Sequence, residues 1–141
     1  MFNMDRDQSR QMFFKAWQGH KNKTPLEPLE ALIVDIIQLH PEYHALLENP
    51  DSTQDRDYLP ETGQTNPFLH MGLHIAIREQ LSINQPFGIK DQYQRLLAKH
   101  QDAHTVEHLI MECLAQTIWE AQRNHTFPDN IVYLECLGRI S

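Results

Sequence analysis

Histidine spacing is the strongest chemical signal in the chain. Nine histidines occur, and four pairs of them stand four residues apart: His40/His44, His70/His74, His100/His104 and His104/His108. Random placement would give fewer than one such pair. On an α-helix, residues four apart lie one above the other on the same face, about 5–6 Å between Cβ atoms. Two imidazoles held that way can share one metal ion.

The four pairs differ in how well a helix can present them. His40 and His44 straddle Pro41, and the residue before a proline is pushed out of helical geometry. His100 reads as the end of a helix, ahead of a turn at Gln101-Asp102. His70/His74 and His104/His108 each sit inside a long helical pattern. They flank the most apolar segments, where a neutral, metal-bound imidazole is better tolerated than a charged one. These four residues are therefore the expected ligands.

Carboxylates accompany them. Glu107 lies three residues after His104, and Glu112 lies four after His108, so both join the expected metal set. Glu107 can equally act as a partner that fixes a histidine tautomer. Glu30 is a further supporting carboxylate, and Glu79 is less well aimed. Imidazoles and carboxylates on facing helices of a bundle suit zinc, iron or manganese, and the residue types alone do not choose among them.

The elements that must carry these residues read as helices throughout. A first helix runs from a cap at Asp5 to about His20, with Phe13, Ala16 and Trp17 on its apolar face and Gly19 where it should stop. Pro28 opens a second helix with Leu29, Ile33, Ile36 and Ile37. Pro41 starts a short third one with Tyr43, Leu46 and Leu47. A long polar loop follows over about 49–66. Asn66-Pro67 then caps and opens a helix to about Leu81, apolar almost all round and expected at the centre of the fold. Ile89, Tyr93, Leu96 and Leu97 mark the next helix. Asp102 caps a long helix striped by Val106, Ile110, Cys113, Leu114, Thr117, Ile118 and Ala121. Pro128-Asp129 begins a last short helix with Ile131, Leu134 and Leu137. No alternating β pattern and no internal repeat occurs. The expected fold is all-α, a single-domain helical bundle spanning 1–141 with six to seven helices.

Composition narrows the function classes. The 141 residues carry a formal net charge of −7, with 40% hydrophobic and 22% charged residues. That balance supports one globular domain and argues against nucleic-acid binding, which needs a basic face. No apolar run approaches the ~20 residues of a membrane span. The charged N-terminus does not read as a signal peptide. A soluble protein of a reducing cytoplasm is expected. Cys113 and Cys136 are read accordingly as small buried hydrophobes with no disulfide framework. Trp17 and Trp119 are read as core aromatics.

Two local motifs fall short. His104-Thr-Val-Glu107-His108 has the H-x-x-E-H form of inverted zinc proteases, but those enzymes are far larger and draw a further ligand from well downstream. Asp51, Thr53, Asp55 and Asp57 alternate as in a calcium loop. Arg56 stands where glycine is required, and Thr62 where glutamate is required.

Several segments together resemble a known bacterial family. They are Asn66-Pro-Phe-Leu-His-Met-Gly-Leu-His74, Glu79-Gln-Leu-Ser82, Gln85-Pro86, Pro28-Leu-Glu-Ala31, His40-Pro-Glu-Tyr-His44, Glu107-His108, Met111-Glu-Cys113 and Tyr133-Leu-Glu-Cys136. The sequence is similar over nearly its whole length to the proteobacterial domain of unknown function 1841. The resemblance implies a small cytoplasmic bacterial protein and implies no activity. Two functions remain in view: a metal-binding bundle, and a non-enzymatic module that docks an unknown protein partner and whose histidines are structural.

Overall fold

The computed structural model describes residues 6–53 and 66–141. All regular structure among them is helical. The helices are α1 (Arg6–Lys21), α2 (Pro28–Gln38), a 3-10 turn (Pro41–Tyr43), α3 (His44–Glu48), α4 (Pro50–Thr53), α5 (Pro67–Ile83), α6 (Ile89–His100), α7 (Ala103–Arg123) and α8 (Asn130–Arg139). None is long and apolar enough to cross a membrane. The all-α expectation holds. The long loop is shorter than expected, because Pro50–Thr53 is already helical. Its remainder, with most of the calcium-like motif and the Asp5 cap, lies outside the described residues.

The chain divides into two compact units, Met1–Ile75 and Ala76–Ser141. The division falls inside α5.

In the first unit α1 packs on α2 and on α3. The core holds Phe13, Phe14, Ala16 and Trp17 from α1, and Ile33, Val34, Ile36 and Ile37 from α2. Leu47, Phe68, Met71 and Ile75 complete it. The ring of Phe68 lies 5.8 Å from those of Phe13 and Phe14, and the Arg10 guanidinium sits 4.6 Å over its face. Such tilted and edge-on contacts add to the area buried. α1 does not stop at Gly19; it continues to Lys21, and the Thr24 hydroxyl then donates to the Gly19 carbonyl. A Cβ at position 19 would come within 3.1 Å of both Thr24 Oγ1 and Leu26 Cδ2, so the glycine serves this close return of the chain.

In the second unit α7 packs on α6 and α8. Its buried side includes Val106, Ile110, Met111, Cys113, Leu114, Thr117 and Ala121, matching the expected stripe. α8 is held in several ways. Tyr133 is buried and its hydroxyl donates to Gln80 Oε1 at 2.8 Å, while burial pushes the phenol well above its usual pKa. The Arg95 guanidinium donates to the carbonyls of Leu137, in the last turn of α8, and of Ile140, just after it.

Cys113 and Cys136 form a disulfide between α7 and α8, with their Cα atoms 5.8 Å apart. This corrects the expectation of two separate buried thiols. Each cysteine sits on an apolar helical stripe, and packing those stripes together brings the two Sγ atoms into contact. Two aromatic and aliphatic assignments also change: Trp119 is 52% exposed and Ile131 is 68% exposed. The buried face of α8 is set by Tyr133 and Leu137, four apart, and Ile131 lies off it.

Side-chain caps fix where the helices begin. The Asn66 Oδ1 accepts from the amides of Phe68 and Leu69 at 3.0 and 3.1 Å. Asp102 accepts from the Thr105 amide and hydroxyl, bonds that hold its carboxyl below the usual carboxylate range. Asp129 accepts from Ile131 and Val132. These caps satisfy amides that the first helical turn cannot. Replacing Asn66 with alanine should lower unfolding free energy by about 1 kcal/mol, and with glycine by only a few tenths, as measured by urea denaturation.

Candidate metal centre

α5 places His70 and His74 one turn apart on one face, as their spacing requires, with ring centroids 4.9 Å apart. Helicity here follows from the Asn66 cap, the proline at the first position and the run of Leu, Met and Ile that follows. His74 is fully buried, and His70 is partly exposed.

The third imidazole comes from a residue set aside on sequence grounds. His40 and His44 do not share a continuous helix, as Pro41 led one to expect. His40 nevertheless reaches the α5 pair. Its ring centroid lies 5.0 Å from that of His70 and 4.8 Å from that of His74. The Nε2 atoms of His40 and His70 stand 3.1 Å apart. Nitrogens bound to one tetrahedral ion at 2.0–2.1 Å would stand about 3.3 Å apart. One ring nitrogen from each of His40, His70 and His74 lies within 4.8 Å of the other two.

The end of α2 orients these rings. His40 Nδ1 donates to the Ile36 carbonyl at 2.8 Å. A carbonyl oxygen can only accept, so Nδ1 carries the proton and the Nε2 lone pair points toward His70. His44 turns away instead: its Nε2 donates to the Ile37 carbonyl at 2.9 Å, and its ring lies 4.6 Å from that of Trp17. Tyr43 stacks on His40 with ring centroids 5.3 Å apart and planes 8° from parallel. Burial, with the adjacent Glu42 carboxylate, raises the Tyr43 pKa above its ordinary value.

In the second unit, the rings of His104 and His108 meet edge to face on α7, with centroids 4.2 Å apart. His100 is separated from them, because α6 ends there and Gln101 adopts left-handed geometry. Its Nε2 donates to the carbonyl of Ser141.

The expected carboxylates are differently engaged. Glu107 is buried, and its Oε1 accepts from Arg78 Nε at 3.2 Å. Glu112 points to solvent beside Ala115, Gln116 and Trp119. Glu30 accepts from the Glu27 amide as part of a capping box at the start of α2, and its other oxygen lies 4.0 Å from Lys15 Nζ. Helix-start chemistry therefore accounts for Glu30.

A model of the domain of unknown function DUF1841 matches residues 5–139. The chain belongs to this family. The match spans both units and all the histidines discussed above. Comparison with curated proteins and with solved structures found no match. The site is thus read from its own geometry.

The Arg78–Glu107 pair makes Glu107 a test of what α7 contributes. The Glu107→Gln variant removes one charge from a largely buried ion pair and should lower stability by about 3 kcal/mol in chemical denaturation. Its zinc stoichiometry, measured by elemental mass spectrometry, should match the unaltered protein. Loss of zinc would return Glu107 to the ligand sphere.

Proposed function

We propose that this DUF1841 protein binds one transition-metal ion through His40, His70 and His74. The observation that carries the reading is the convergence of His40, His70 and His74 from two separate segments of chain, with the His40 ring held in the Nδ1–H tautomer that turns its Nε2 lone pair toward His70. A merely packed core has no need of three imidazoles whose nitrogens face one another.

Zinc held for structural purposes takes four protein ligands, whereas catalytic zinc takes three and keeps a water. An all-imidazole set suits zinc, copper, iron or nickel better than manganese, which favours oxygen donors. Of the metals that the residue types first suggested, zinc and iron fit best. Three imidazole ligands would leave a position open to water, the arrangement of a catalytic zinc.

The protein is also read as bacterial and cytoplasmic, on its family resemblance.

The reading predicts close to one equivalent of zinc or iron in untagged protein. Replacing His40 and His74 together with alanine should reduce that content, and the zinc taken up on titration, to background. Full occupancy in the double variant would refute this ligand set.

Docking of a protein partner is a second reading, favoured by a separate observation. Phe127 is 94% exposed, with Ile131 and Trp119 exposed nearby in sequence. Large apolar side chains left in water are a common mark of an interface. On this reading Phe127→Ser should abolish partner capture and leave metal content unchanged; partners retained in full would dismiss it.

A further inference from the structure

Two carbonyls at the end of α2 hold histidine rings where a continuing helix would place backbone amides. In an unbroken helix the His40 amide would donate to the Ile36 carbonyl, and the amide of residue 41 to the Ile37 carbonyl. Position 41 is a proline, which has no N–H and excludes helical geometry at the residue before it. His40 accordingly sits at φ −127°, ψ 70°. Its amide moves to the Ile37 carbonyl at 2.9 Å, and the Ile36 carbonyl, which accepts the Leu39 amide at 3.1 Å, takes the His40 ring Nδ1 as its second donor. The Ile37 carbonyl accepts a second bond, from His44 Nε2.

We propose that Pro41 is a positioning residue for the metal centre. By ending α2 at this point, it turns the backbone of His40 and exposes a carbonyl that selects the Nδ1–H tautomer. Together these aim Nε2 at His70. The inference rests on the metal reading above and adds to it the residue that makes a third ligand available. The same carbonyls form the negative end of the α2 dipole, so they also raise the donor strength of the imidazole they hold. His44, captured by the neighbouring carbonyl, is kept out of the ligand set by the same break.

Alanine and glycine at position 41 separate this role from general destabilisation. Alanine restores the missing N–H and strongly favours helix, whereas glycine restores the N–H but resists helix. Zinc affinity would be measured by competition with a chromophoric chelator, and coordination by the visible spectrum of the cobalt(II) form. Pro41→Ala should weaken zinc binding tenfold or more and change the cobalt spectrum, with stability to urea undiminished. Pro41→Gly, which regains the N–H but resists helix, should show a clearly smaller change on both readouts. In metal-free protein, nitrogen-15 spectra should show His40 protonated at Nδ1, and Pro41→Ala should lose that signature.

Zinc binding by Pro41→Ala equal to that of the unaltered protein would overturn the proposal. So would an equal loss in Pro41→Gly, or an unchanged His40 tautomer in Pro41→Ala. If the unaltered protein bound neither zinc nor cobalt while the tautomer change occurred as expected, the metal reading would fall and the orienting effect of Pro41 on His40 would stand.

Discussion

Every helix that ends inside a protein leaves carbonyls that must find donors, and in the first unit this requirement shapes the histidine cluster. At the end of α2, Ile36, Ile37 and His40 are buried, so water is a poor source of donors for their carbonyls. The Leu39 and His40 amides supply one donor each, and two imidazoles supply the second. A side chain that satisfies a helix end has a fixed orientation, and for histidine a fixed orientation also fixes the tautomer. The nitrogen not used by the backbone is then presented at a defined place. In His40 that nitrogen faces α5. Stability of the helix end and availability of the ligand follow from a single hydrogen bond.

The second unit meets comparable demands with different groups. Its buried carboxylate, Glu107, faces the Arg78 guanidinium, and its buried phenol, Tyr133, donates to Gln80. The last carbonyls of α8 are taken by Arg95. A disulfide adds a covalent tie between α7 and α8. Polar groups placed in these contacts are satisfied locally.

Membership of the DUF1841 family accounts for the likeness of scattered segments but supplies no chemistry for them. Several of those segments have a structural reason that is now clear. Asn66 and Pro67 start α5, and His40-Pro41 ends the α2 region. Such punctuation would persist whether or not a metal is bound. The convergence of three imidazole nitrogens is different in kind, since capping needs one ring nitrogen from a histidine and leaves the direction of the other unconstrained.

Helix positions were legible because they depend on local chemistry. The caps at Asn66, Asp102 and Asp129, the prolines at helix starts and the apolar stripes of α1, α2 and α7 all act within a few residues. The His70/His74 pairing was equally legible, since a four-residue spacing on one helix fixes it. Misread features depended on which face was buried. Trp119 and Ile131 belong to apolar helices but lie off the packed faces. Cys113 and Cys136 are 23 residues apart, and only the packing of α7 on α8 joins them.

His40 marks the boundary between the two kinds of information. The sequence by itself determined that Pro41 would break the helix, and so that His40 and His44 could not act as an i, i+4 pair. It could not determine where the displaced ring would point, because that depends on the carbonyl freed by the break and on α5, thirty residues away. Local steric rules act through neighbours in the chain. Convergence of ligands is decided by tertiary packing, which alone brings distant segments within hydrogen-bonding distance.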